Sequence, residues 1–88
     1  MKFRLSRHAK NELGRRAIPI EMLESVLKNP QQVIEQADGK KVYQSQVDFE
    51  GGKIFLLRAV VVEFADSALV VTVYRTKKIG KYWRTSWK

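Results

Sequence analysis

Ile54-Phe55-Leu56-Leu57-Arg58-Ala59-Val60-Val61-Val62 carries apolar side chains on both of its alternating faces. Branched and aromatic residues at this density, bounded by Gly51-Gly52 before and Ala65-Asp66-Ser67 after, mark a buried strand over Lys53–Phe64. Successive side chains in a strand point to opposite sides. Phe55, Leu57, Ala59 and Val61 therefore share one face, and Ile54, Leu56, Val60 and Val62 the other. Helices can cover only one of them. The second face needs its own cover: a tail of this chain, a second copy or a partner. Arg58 falls on that second face, where a charge requires a carboxylate, a carbonyl or a bound anion.

The flanking segments are also sheet. Asp48-Phe49-Glu50-Gly51-Gly52 is hairpin chemistry, because Gly adopts positive φ at little cost. Before it, Lys41–Phe49 alternates, with Tyr43, Val47 and Phe49 on one side; Ala37-Asp38-Gly39-Lys40 is a turn and Gln32–Glu35 a short strand. After Ala65-Asp66-Ser67, Leu69–Thr76 is the last strand. Upstream the period changes. Lys2–Leu5 alternates as a short edge strand would, and Ser6 is a good N-cap for a helix over Arg7–Arg16. Ala9 and Leu13 lie on its inner side, with His8, Glu12 and Arg15 clustered beside them. Ile18-Pro19-Ile20 breaks the chain before a second helix, Ile20–Lys28, whose apolar stripe is Ile20, Leu23, Val26 and Leu27 and which ends at Asn29-Pro30. The fold expected is α+β: an N-terminal strand, two helices, then an antiparallel sheet of three or four strands with a basic C-terminal end.

With 88 residues, the chain is expected to form one domain, 1–88. Its net charge of +8 is uneven: residues 1–28 carry +4, residues 29–66 carry −2 and residues 67–88 carry +6. If the basic ends meet, they form one positive face suited to RNA, DNA or an acidic protein; the alternative is solubility alone. The segment 75–88 is basic and aromatic, and no acid follows Asp66. The absence of cysteine excludes disulfides, a thiol nucleophile and Cys-based zinc. With a single His, no metal or other cofactor is expected. No signal peptide and no membrane span is expected, which fits a cytoplasmic protein.

Ser6-Arg7-His8-Ala9, then Leu13, then Arg16-Ala17-Ile18-Pro19 resembles the opening of a family of small bacterial proteins labelled a domain of unknown function. The family pattern is Thr/Ser-x-His-Ala, a Met or Leu four residues on, and Arg-Gly-Ile-Ser. A helix ending at Asn29-Pro30 and the later Val71-Thr72-Val73-Tyr74 continue the resemblance in order. Glu12 stands where the family often shows Arg, and Ala17 and Pro19 replace its Gly and Ser. Members are similar to the RelE/ParE toxin superfamily and to BrnT-type toxins. That resemblance implies a RelE-like domain of helices packed on a twisted antiparallel sheet, in a type II toxin-antitoxin system, binding RNA or ribosome-bound mRNA, with a cognate antitoxin and metal-independent endoribonuclease activity. A ParE-like enzyme inhibitor and a non-catalytic protein/nucleic-acid binding module are the competing readings.

Metal-free RNA cleavage requires a base for the 2′-hydroxyl, a proton donor for the 5′ oxygen and cations for the phosphorane. His8 has the side chain suited to proton transfer near neutrality; alternatively it braces the first helix through Glu12 or a sheet carbonyl. RelE-like toxins hold and cleave the phosphate with Arg, Lys and Tyr. By that resemblance Arg58, Tyr74 and Arg75 join His8 as catalytic candidates, with Lys77 and Lys78 beside them. Arg7, Arg15, Arg16 and Lys81 extend the candidate nucleic-acid surface, or are solvated charges. Tyr82, Trp83 and Trp87 stack bases, or fold back over the open sheet face. If that face stays open, a homodimer through it is expected. The site would lie where the first helix meets the last two strands, and Arg58→Ala or Arg75→Ala would relieve growth arrest with folding intact.

Overall fold

The computed structural model describes residues 2–85. Its elements in chain order are β1 (Lys2–Leu5), α1 (Arg7–Arg15), α2 (Ile20–Lys28), β2 (Gln32–Glu35), β3 (Lys41–Asp48), β4 (Ile54–Glu63), β5 (Ser67–Thr76) and the short α3 (Ile79–Tyr82). The chain is thus α+β, with a five-stranded sheet in the order β1-β5-β4-β3-β2. The sheet is mixed rather than antiparallel: β2 to β5 pair antiparallel, but β1 runs parallel to β5. A four-residue strand carries no local signal for its partner or direction; these follow from where the last strand returns.

Packing explains the layers. α1 and α2 cover the inner face, where Ala9, Leu23, Val26 and Leu27 meet Tyr43, Leu57, Ala59, Val61, Val70 and Val73. Burying each of these larger side chains is worth about 1.5–3 kcal/mol, which makes this layer the main source of cohesion. Val70 and Val73 both point inward although they are three positions apart. The pairing Val60 with Thr72 and then Val61 with Val70 leaves Val71 as a bulge. The Ser6 hydroxyl donates to the Val71 carbonyl at 3.0 Å and accepts from the Ala9 amide at 3.0 Å, so one side chain both caps α1 and satisfies the bulge.

The end of α1 is a Schellman motif. The Ile18 amide donates to the Leu13 carbonyl at 2.9 Å and the Ala17 amide to the Gly14 carbonyl at 3.3 Å. The motif requires a left-handed residue after the cap, and Ala17 fills it at φ 53°. Its Cβ crowds the following carbonyl at a position where the resembled family has Gly. Ala17→Gly is expected to stabilise the fold by about 1 kcal/mol, raising the melting midpoint by about 4–8 °C. Calorimetry on the two proteins checks this.

The outer face is covered in part by the chain itself. α3 and the residues after it lie across β2 and β3: the Gln32 side-chain amide donates to the Arg84 carbonyl at 2.8 Å, and that of Gln44 to the Tyr82 carbonyl at 3.3 Å. Of the two alternatives for this stretch, fold-back is therefore realised over residues 79–84. Tyr82 and Trp83 are half-buried there, and Trp87 lies outside the described residues. No helix among the described residues is long and apolar enough to cross a membrane.

Candidate functional site

Register places Gln32, Gln44, Arg58 and Tyr74 in one line across four strands of the outer face. Their side chains form a continuous hydrogen-bonded ladder. Gln44 Nε2 donates to Gln32 Oε1 at 2.7 Å, Arg58 Nε donates to Gln44 Oε1 at 2.8 Å, and Arg58 Nη1 donates to the Tyr74 hydroxyl at 2.6 Å. The Tyr82 ring lies over the Arg58 guanidinium at 4.1 Å and meets Tyr74 edge-on. Arg58, 7% exposed, is thus satisfied by a side-chain carbonyl, a phenol oxygen and an aromatic face, with no carboxylate partner among the described residues. This arrangement suits a structural keystone better than an open phosphate contact. The two glutamines escaped the sequence reading. Their signal is a Gln on the same alternating face as Val42, directly across from a buried Arg.

His8, at the start of α1, is exposed; its Nε2 pairs with the Thr72 hydroxyl at 3.1 Å. It braces the helix against the sheet, but through a hydroxyl rather than through Glu12 or a carbonyl. Thr72 and Tyr74 are outer-face neighbours, roughly 7 Å apart along β5 by strand geometry. Three of the four catalytic candidates, His8, Tyr74 and Arg58, therefore share the outer face. Arg75 does not: it pairs with Leu57 and points to the inner side.

There Arg75 enters an open basin of about 470 Å³ lined by Arg15, Arg16 and Ala17 from the end of α1, Phe55 from β4, and Arg75, Thr76 and Lys77. This is where the first helix meets the last two strands. The Arg75 guanidinium sits 4.4 Å from the centre of the Phe49 ring and 4.7 Å from that of Phe55, and the rings pack edge-on at 5.2 Å. Lys77 Nζ lies 5.6 Å from the Phe55 ring centre. Among the described residues nothing accepts a hydrogen bond from Arg75. The cation is held in place by rings, and its five N–H donors are left for a ligand. Phe49 and Phe55 were missed as site residues; both flank the β3–β4 hairpin, and Phe55 is a diagonal neighbour of Arg75.

The opposite wall of the basin is an ion-pair cluster. Arg15 donates to Glu12 from Nε at 3.0 Å and Nη2 at 2.8 Å, and Arg16 Nε donates at 2.5 Å. These bonds hold the Glu12 carboxyl at about 2, well below its ordinary 4.5. Arg15 and Arg16 are therefore committed to Glu12, which lowers the local positive charge. A depressed folded-state value stabilises the fold fully above the unfolded value and loses that stabilisation as pH falls toward about 2. Glu12→Gln should be less stable than the wild type at pH 7, and the gap should close between about pH 4.5 and pH 2 in urea melts. A gap independent of pH would show that the carboxylate charge is not what matters.

Arg7 is exposed on α1, Lys78 follows β5 with its amide bonded to Thr76 Oγ1, and Lys81 lies beside Tyr82 on the outer face at 5.3 Å. None of these three lines the basin.

Residues 5–75 match the profile of one protein family. The chain belongs to the family described as Domain of unknown function (DUF4258). No curated protein and no solved structure matches the chain. The DUF4258 match runs from the end of β1 to Arg75, so it contains the ladder's Gln32, Gln44, Arg58 and Tyr74 and five basin residues: Arg15, Arg16, Ala17, Phe55 and Arg75. Lys77, Lys78, Lys81, Tyr82 and Trp83 follow the matched span.

Proposed function

We propose that this protein is a toxin-like RNA-binding protein of the RelE/ParE superfamily kind, gripping an RNA phosphate in the basin around Arg75. The observation that carries the reading is a guanidinium held against an edge-on pair of phenyl rings, with no hydrogen-bond acceptor among the described residues, beside Lys77 in an open basin. A planar fork of this kind binds a phosphate through two bonds, and rings beside it offer a stacking surface for a base. The coarse architecture, a strand and two helices packed on a sheet, is what the resemblance implies, while the parallel β1 departs from its antiparallel sheet. On this reading the protein acts in the cytoplasm on mRNA, free or ribosome-bound, and is restrained by a cognate antitoxin.

Endoribonuclease activity rests on the resemblance alone. His8 and Tyr74 would have to serve as base and proton donor, and both stand on the face opposite Arg75. That separation favours the second reading, a non-catalytic nucleic-acid binding module. The deciding experiment mixes the purified protein with single-stranded RNA, and with mRNA on ribosomes, in chelator. Binding that weakens steeply with salt is expected. New 5′-hydroxyl ends would establish cleavage, and binding without them the module. Absence of any RNA binding sinks both.

A further inference from the structure

We propose that the outer edge of β1 receives an acidic, extended segment of a partner protein as one more strand, with apolar side chains of that segment seated in the groove between β1 and α2.

β1 ends the sheet, and its strand pairing is with β5 alone. Among the described residues no loop or side chain pairs with the backbone of Lys2–Leu5 on its other side. A row of main-chain donors and acceptors is left open there, the template on which a peptide adds as a strand. Beside this edge lies a groove of about 260 Å³, lined by Phe3 and Leu5 of β1 and by Ile20, Leu23, Glu24, Leu27 and Lys28 from α2. Alternation divides β1 cleanly. Phe3 and Leu5 turn toward the groove, while Lys2 and Arg4 are exposed on the other face.

Charge selects the occupant. A second copy of this chain pairing edge to edge would bring Lys2 and Arg4 against their own counterparts, and like charges opposite each other are destabilising. Basic side chains on an edge strand block self-association in this way. They do not block a strand whose side chains on that face are carboxylates. Lys28 at the groove and Arg7 just beyond β1 add positive charge, against Glu24 as the groove's acid. The pattern that fits is therefore period-two: Asp or Glu opposite Lys2 and Arg4, and Val, Ile or Leu opposite Phe3 and Leu5. This site shares no residue with the Arg75 basin, and the inference does not depend on RNA binding.

The test titrates the full-length ¹⁵N-labelled protein with the acetylated, amidated peptide Ser-Glu-Val-Glu-Leu-Glu-Ser. Amide shifts should concentrate on Phe3, Arg4 and Leu5 and on Leu23 and Leu27. N-methylation of alternate peptide bonds, on one set or the other, should abolish binding. The Lys2→Glu/Arg4→Glu protein should bind the peptide about tenfold more weakly, and should bind the analogue with Lys in place of Glu more tightly than the wild type does. Both residues are exposed, so the double variant is expected to fold. The proposal is overturned if shifts centre on Arg75 and Lys77, if both N-methylated peptides bind as well as the parent, or if the charge swap leaves the preference for Glu unchanged.

Discussion

Arg58→Ala is expected to lower the stability of the protein by about 3 kcal/mol, a large share of the roughly 5–15 kcal/mol that holds a domain of this size together. The cost has identifiable parts. Removing the side chain opens a void beneath Tyr82, which packs on the guanidinium at 4.1 Å. It also deprives Gln44 Oε1 and the Tyr74 hydroxyl of their charged donor. Gln44 is fully buried, so its orphaned oxygen bears the full desolvation penalty. The loss should spread along the ladder to Gln32 and so loosen the docking of Arg84. Urea melts measure the change, and hydrogen exchange at the amides of Trp83 and Arg84 reports whether α3 lifts. A variant within 0.5 kcal/mol of the wild type, about the scatter of ordinary surface substitutions, would show that the ladder is not structural. The contacts of Arg58 thus argue against the expectation that Arg58→Ala leaves folding intact. Relief of growth arrest by this variant would report lost folding as readily as lost chemistry.

The elements of this fold were largely readable because their signals are local. Ser6 announces α1, the Ile20, Leu23, Val26, Leu27 stripe announces α2, and the double-faced run Ile54–Val62 announces a central strand with two layers to satisfy. Its division into faces, with Arg58 on the second, is realised in the pairing. What failed to show is what depends on register. The bulge at Val71 turns both Val70 and Val73 inward, which strict alternation does not allow. The parallel pairing of β1 depends on the path of the whole chain. The site was half legible for the same reason. Arg58, Tyr74 and Arg75 stand out as residue types, and the last two are adjacent in sequence, yet adjacency on a strand means opposite faces. The partners that give the two arginines different roles, Gln44 for one and Phe49 with Phe55 for the other, come from a neighbouring strand and the hairpin. Only a correct alignment of β3, β4 and β5 brings them together.

Arg75→Ala should weaken binding of single-stranded RNA by about ten- to a hundredfold, the worth of one charge-assisted hydrogen-bonded grip on a phosphate. Its effect on folding should be small, about 1 kcal/mol or less, because within the protein the side chain gives up two ring faces rather than a buried hydrogen bond. The contrast with Arg58 separates grip from scaffold: one arginine is expendable to the fold and the other is not. Salt supplies a second, independent readout. If Arg75 neutralises one phosphate, the slope of log affinity against log salt should fall in magnitude by about 0.7 in the variant. Arg75→Lys divides the contribution further. It keeps the charge, and hence most of the slope, but loses the planar fork and its packing against the rings, so affinity should fall partway. Phe49→Leu should leave the slope unaltered and weaken binding by loosening the guanidinium. Equal affinity and equal slope in the wild type and Arg75→Ala would place RNA elsewhere on the molecule, with Arg7, Lys78 and Lys81 the next cations to remove.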